Sequence, residues 1–204
     1  MRRLVTFSSV LGRGDVISIH EIRRRAPLHY EAKADNARFV ACMLANNISE
    51  ESCSSTAMEA KYGGTPGIAI GEAFRREAAL ALELITKAVI AQKIELDVAP
   101  AHVVAVRPTH DLNELWREAA LPKLSNEDQR RLLLAKRILV WAGRYAAPKN
   151  DEVYEKEELE DQRLQQIRPS AGLRFVRPVA FDWVNFDRLY QIAARDFWSL
   201  RDGL

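Results

Sequence analysis

The longest run of regularly spaced apolar positions lies between Glu72 and Leu96. Phe74, Ala78, Ala81, Leu82, Ile85 and Val89 recur there at three- and four-residue intervals, the helical period, and Leu84 and Ala88 widen the stripe. Neither Pro nor Gly interrupts the run after Gly71, and Ala, Leu, Glu and Lys, all good helix formers, dominate it. So wide an apolar surface predicts a helix covered on more than one side, the centre of a bundle. Glu83 and Lys87 sit within it, one turn apart. They read either as an ordinary surface ion pair, which adds little stability, or as a charged pair at the lip of a site inside the bundle.

Other stretches share the period. From Asp35, a candidate N-cap, to about Ile48, the residues Phe39, Val40, Met43 and Leu44 mark a second helix. A short helix is expected around Glu50–Glu59, and Gly63-Gly64-Thr65-Pro66-Gly67 reads as a turn into the long helix. That turn lacks the preceding strand and the terminal Lys-Ser or Lys-Thr pair of a phosphate loop. After a Pro-containing connection, Asp97 to Pro108, Thr109 or Asp111 can cap a helix with Leu112, Leu115, Trp116 and Ala119 on one face, ended by Pro122. Ser125 and Asp128 form an approximate capping box for the next helix, carried by Leu132, Leu133, Ala135, Lys136, Leu139, Val140 and Trp141 and stopped by Pro148. Residues 150–168 are dominated by charge and read as a solvated helix or a mobile insertion; the pairs Glu157-Glu158 and Glu160-Asp161 are assigned to solvent. A final helix, Trp183 to Leu200, has Phe186, Leu189, Tyr190, Ala193, Phe197 and Leu200 on one face, with Asp182 or Asn185 near its start.

No stretch sustains strand alternation. Weak extended pieces are expected near the N-terminus and at Phe175-Val176-Arg177-Pro178, and Arg23-Arg24-Arg25 before Pro27 reads as a basic turn. The predicted architecture is all-α: an antiparallel helix bundle over residues 35–204, with an N-terminal extension, residues 1–34, and a charged insertion before the last helix.

Composition narrows the function classes. The chain has 204 residues, 48% of them hydrophobic, enough for one core. Its formal charge is +2, from 30 basic and 28 acidic side chains, which argues against attachment to nucleic acid by bulk charge while permitting a local patch. Cys42 and Cys53 form no metal spacing with the histidines and no disulfide framework, so a reduced, cytoplasmic setting is expected. No apolar run suggests a membrane span. His20, His29 and His102 are isolated in the sequence, so neither a metal nor a cofactor is expected.

Three pieces in order resemble the HEPN superfamily, helical domains of prokaryotes and higher eukaryotes associated with nucleotide and RNA biochemistry. The segment from Ala79 to Ala88, with Glu83 and Lys87, resembles that family's Glu-then-Lys helix. Thr109-His110-Asp111-Leu112 with Leu115 is similar to its Gly-His-Asp-Leu helix start. Trp141-Ala142-Gly143-Arg144-Tyr145-Ala146-Ala147-Pro148 is similar to the Arg-Tyr-Pro-x-Pro helix end of bacterial members, and Asp182 to Tyr190 agrees with the closing helix. The likeness covers roughly residues 70–200. It implies a helical bundle, often a homodimer, with polar residues gathered in a cleft between the long helices. It also implies rival activities: nucleotide or RNA binding, or metal-independent endoribonuclease action as a toxin or phage-defence effector. Many members of the second kind use an Arg followed four to six residues later by a His; here Arg144 is the Arg counterpart, but no histidine follows His110.

The candidate group is therefore His110 and Arg144 for catalysis, with Glu83, Lys87, Asp111 and Tyr145 for nucleotide or RNA binding. His110 can act as a general base oriented by a carboxylate. Arg144 can hold a phosphate by its fork while Tyr145 stacks on a base. The alternative is structural: His110 and Asp111 cap a helix, Arg144 pairs with Glu83 or Asp111, and Tyr145 fills the bundle end. A third class is a non-catalytic module that docks a partner, such as an antitoxin or another neighbouring-gene protein.

Overall fold

A computed structural model of the protein describes residues 19–46, 49–142, 150–165 and 178–203. Among them are α1 (Ile19–Arg25), α2 (Pro27–Asn46), α3 (Glu50–Glu59), α4 (Pro66–Glu95), α5 (Leu112–Glu118), α6 (Asn126–Arg137), a π-helical turn (Ile138–Ala142), α7 (Asp151–Leu164) and α8 (Trp183–Asp202). No strand occurs among the described residues, so the all-α expectation holds. No described helix is long and apolar enough to cross a membrane.

The 30-residue α4 is the axis of the molecule. At ~1.5 Å per residue it spans about 45 Å. It starts at Pro66, not Glu72, with Thr65 at the N-cap and the proline in the first turn, where a missing N–H costs nothing. Gly67 and Gly71 lie inside it; a helical glycine costs only about 1 kcal/mol, and contact with α3 helps offset that. The helix stops where Asp97 adopts a positive φ of 58°, a conformation Asp tolerates better than most residues. From Ala81 to Gln92 nearly every side chain of α4 is buried, polar ones included.

α2 covers α4 most extensively. The inward face of α2 is made of small residues, Ala34, Ala37 and Ala41, which let the two helix axes approach closely. Of the apolar residues that marked this helix in the sequence, Phe39, Val40 and Met43 are exposed, and Leu44 packs against the core. The helix also begins at Pro27, so the residue 34/35 boundary falls within it and Asp35 lies mid-helix, not at a cap. Arg23 to Arg25, read as a turn, end the short helix α1.

α8 packs against both α2 and α4. Phe186 meets Phe74 edge-on with ring centroids 6.3 Å apart, Tyr190 at 6.1 Å and Trp183 at 5.5 Å. Arg38 of α2 lies over Trp183 and Tyr190, 5.7 and 5.2 Å from their ring centres, and donates to Asp187 at 2.7 Å. Phe74 meets the start of α8 and Lys93 reaches Asp196, so α4 and α8 share one direction. Arg38 meets Asp187 and Glu31 feels the charge of Arg201, so α2 runs antiparallel to α8.

On the opposite flank of α4, Asp111 caps α5 by accepting from the Glu114 N–H at 3.1 Å, and Ser125 caps α6 by accepting from the Asp128 N–H at 3.1 Å. Both were legible as caps. The last helix is capped by Asp182, which accepts from the Asn185 N–H at 2.9 Å. Lys93 ties the flanks together, donating to the Ala119 carbonyl at 2.6 Å while lying 2.9 Å from Asp196 of α8.

Phe186, fully buried at the centre of the aromatic cluster, tests this packing. Phe186→Ala should lower the unfolding free energy by about 3–5 kcal/mol, measured by urea denaturation.

Candidate functional site

The charged pair on α4 is not on the surface. Glu83 and Lys87 are 5% and 8% exposed, and Lys87 Nζ donates to Glu83 Oε1 at 2.6 Å. Little of either side chain meets solvent, so each charge depends on partners within the protein. The other carboxylate oxygen, Oε2, lies 2.8 Å from Nδ1 of His110, whose side chain is 48% exposed. His110 stands in the connection between α4 and α5, directly before the Asp111 cap. The cap geometry of α5 thereby sets where the imidazole sits.

Asp111 turns away from this trio. Its Oδ2 accepts from Lys136 Nζ at 2.9 Å, near the end of α6, while Oδ1 performs the capping. Burial pushes the Asp111 carboxyl up, but the Lys136 hydrogen bond, the capped N–H and the charges of Lys136 and Arg117 outweigh it, leaving it below the usual carboxylate range. For Lys136, burial pulls the ammonium down, and Asp111, Glu157 and Glu160 raise it further than burial lowers it.

From Lys136 the charges continue onto α7. Glu157 lies 3.7 Å from Lys136 and 3.4 Å from Arg137; Arg137 also reaches Glu158 at 3.1 Å. One turn on, Arg130 donates to Asp161 at 2.8 Å. Glu157 and Asp161, assigned to solvent from the sequence, are 3% and 8% exposed. The correction has a physical cause: a carboxylate every fourth residue on α7 meets Arg130 and Arg137, two turns apart on α6. The run looked solvated because its partners lie on another helix.

The structure thus brings together Glu83, Lys87 and His110, and sets Asp111 beside them on Lys136. Arg144 and Tyr145 lie outside the described residues. Lys136, which the sequence reading counted within the apolar stripe of its helix, is the member that reading missed; a lysine between Ala135 and Leu139 is the one signal that hinted at it. Among the described residues no group of three or more His, Cys, Asp or Glu is disposed to hold a metal ion.

A cavity of about 590 Å³ with a mixed lining opens along α5, bordered by Asn113, Trp116, Arg117, Leu121, Lys123 and Glu160 among others. Two of its charges reach the site electrostatically: Arg117 acts on Asp111, and Glu160 on Lys136. A second cavity, about 410 Å³ and largely apolar, lies far along the chain between α3 and the start of α4. The first is of small-ligand size, and its lining includes none of Glu83, Lys87, His110, Asp111 or Lys136.

No family model matches the chain, and neither does any curated protein or solved structure.

Two outcomes follow from the buried charges. Lys87→Met leaves Glu83 buried without its counter-charge and should destabilise the protein by about 3–5 kcal/mol, whereas Glu83→Leu/Lys87→Met should lie closer to wild type; a denaturation cycle measures both. Asp128, which accepts from Arg188, Arg131 and Ser125, is also lowered, those bonds outweighing the upward push of burial. A carboxyl lowered on folding adds stability that is complete above its unfolded pKa, about 4, and lost as pH falls through the folded value. Asp111→Asn and Asp128→Asn should therefore each flatten the acid side of the stability curve, measured by urea denaturation from about pH 2 to pH 6.

Proposed function

We propose that this is a cytoplasmic, HEPN-like protein, working as a homodimer, that binds a nucleotide or RNA between α4, α5 and α6. The observation that carries the reading is the buried Glu83 carboxylate, shared between Lys87 and a half-exposed His110. A buried ion pair contributes little net stability, because desolvating two charges offsets their attraction. Retaining one in the most buried part of α4, with an imidazole carrying its influence to the surface, fits a site better than a strut. The cavity along α5 carries the exposed Arg117 and Lys123, cationic groups suited to a phosphate. The exposed Phe39, Val40 and Met43 of α2 provide an apolar surface for a second copy.

A second reading, a metal-independent endoribonuclease of toxin or phage-defence type, is favoured by one feature. His110 has a carboxylate behind it, the arrangement that orients a general base. In that reading His110→Ala abolishes cleavage of a fluorescent RNA in the presence of chelator and relieves growth arrest. Unchanged cleavage by the variant would remove His110 from the chemistry.

The binding reading is tested by a thermal-shift screen of wild type and His110→Ala against nucleotides and short RNAs at low salt. A ligand at about 100 times its Kd adds ~2.7 kcal/mol of stability, and the melting temperature rises with it. Wild type should shift and His110→Ala should not; absence of any shift across the screen defeats the proposal.

A further inference from the structure

We propose that the groove between α2 and α8 binds a linear aliphatic polyamine, whose ammonium groups lie among Glu31, Asp35 and Asp202 and donate to the Tyr190 hydroxyl. The site is separate from the one built on Glu83 and His110, and it does not depend on nucleotide binding.

The groove has a volume of about 300 Å³. Glu31 and Asp35 line it from α2, and Tyr190, Trp198 and Asp202 line it from α8. Its two arginines are engaged elsewhere. Arg38 donates to Asp187 at 2.7 Å, and Arg195 donates to the Gln191 carbonyl of its own helix at 3.1 Å. Asp35 has Arg38 only at 4.0 Å, and among the described residues neither Glu31 nor Asp202 takes part in an ion pair. Tyr190 is 3% exposed. Arg38 lies over its ring, 5.2 Å from the centre, but among the described residues its hydroxyl makes no hydrogen bond. A polar group so enclosed ordinarily has a partner. Here the groove is where one can come from.

The surroundings select a cation. Burial, and then the charges of Asp35 and Glu31, push the Tyr190 hydroxyl well above its ordinary range against the pull of Arg38. It therefore stays neutral, with lone pairs to offer, where the field favours positive charge. Burial and then Asp35 also push the Glu31 carboxyl up, with Arg201 opposing them. A cation between the two carboxylates removes that repulsion. A metal ion does not fit, since among the described residues no group of three or more His, Cys, Asp or Glu is disposed to hold one. The carboxylates are instead strung out: Glu31 and Asp35 are one turn apart, ~6 Å along α2, and Asp202 stands on the other wall. Charges spaced along a chain match that arrangement better than one point charge. Each ammonium carries several N–H donors and no acceptor, so it can serve a carboxylate and the phenol oxygen together. Trp198, 43% exposed, supplies a ring for the methylenes and the charge.

Calorimetric titration of the full chain, freed of nucleic acid and held at constant ionic strength, tests the proposal. The probes are putrescine, spermidine and hexamethonium, which carries two charges on an aliphatic chain but no N–H donor. Putrescine and spermidine should bind saturably and hexamethonium should not. Tyr190→Phe keeps the ring and its packing but loses the hydroxyl, and should weaken spermidine at least about tenfold, the worth of a hydrogen bond to a charged group. Asp35→Asn, at a side chain 63% exposed, leaves the core untouched and should weaken it as well. Unliganded melting temperatures show that both variants are folded. Absence of saturable binding by wild type overturns the proposal, and so does hexamethonium binding as tightly as putrescine, which means bulk charge alone. Undiminished binding by both variants places the polyamine elsewhere and overturns it too.

Discussion

A helix covered on all sides has no water for its polar side chains, and α4 is covered on all sides from Ala81 to Gln92. Every polar group in that span must find its partner within the protein. Thr86 donates back to the Leu82 carbonyl at 2.7 Å, Gln92 meets Arg201 at 3.4 Å, and Glu83 takes both Lys87 and His110. The positions of α2, α5 and α8 are constrained by this requirement as much as by apolar packing. α2 can lie close because its inner face is alanine; α8 supplies the large rings; the start of α5 supplies the imidazole.

The same requirement explains the second charged layer. α7 brings few buried apolar side chains to its contact with α6, and its buried residues, Glu157 and Asp161, are carboxylates. Its attachment therefore depends on ion pairs with Arg130, Lys136 and Arg137, some of them imperfect: both Glu157 oxygens and Arg137 Nε lie buried without a hydrogen bond of good geometry. Such contacts fix which helix docks where more than they add net stability. Lys136 links this layer to the site, since it touches both Asp111 and Glu157. Lys136 thus joins α7 to the cap of α5 through two ion pairs.

The π-helical turn that follows α6 belongs to this picture. The regular hydrogen-bond ladder gives way at Ile138, two residues after Lys136, while the turn continues to pack against α4. π-helical turns recur at functional sites because they redirect side chains that a regular helix would point elsewhere.

What the sequence determined by itself is local. The period of the apolar residues located α4, α6 and α8, and short-range signals located their ends: Asp111, Ser125 and Asp182 each bond an N–H three residues on, a relation readable from adjacent letters. Even there, Gly67 and Gly71 concealed the first turns of α4. What only the tertiary structure decided is which polar residues are buried and with whom. His110 and Glu83 are 27 residues apart, Lys136 and Asp111 25, Asp161 and Arg130 31. No periodicity within one helix encodes such a pairing. Burial of a charge depends on what covers it, and the cover comes from distant chain. For that reason Glu83 and Lys87 were legible as a pair but not as a buried one, and Phe39 and Met43 were legible as apolar but not as exposed.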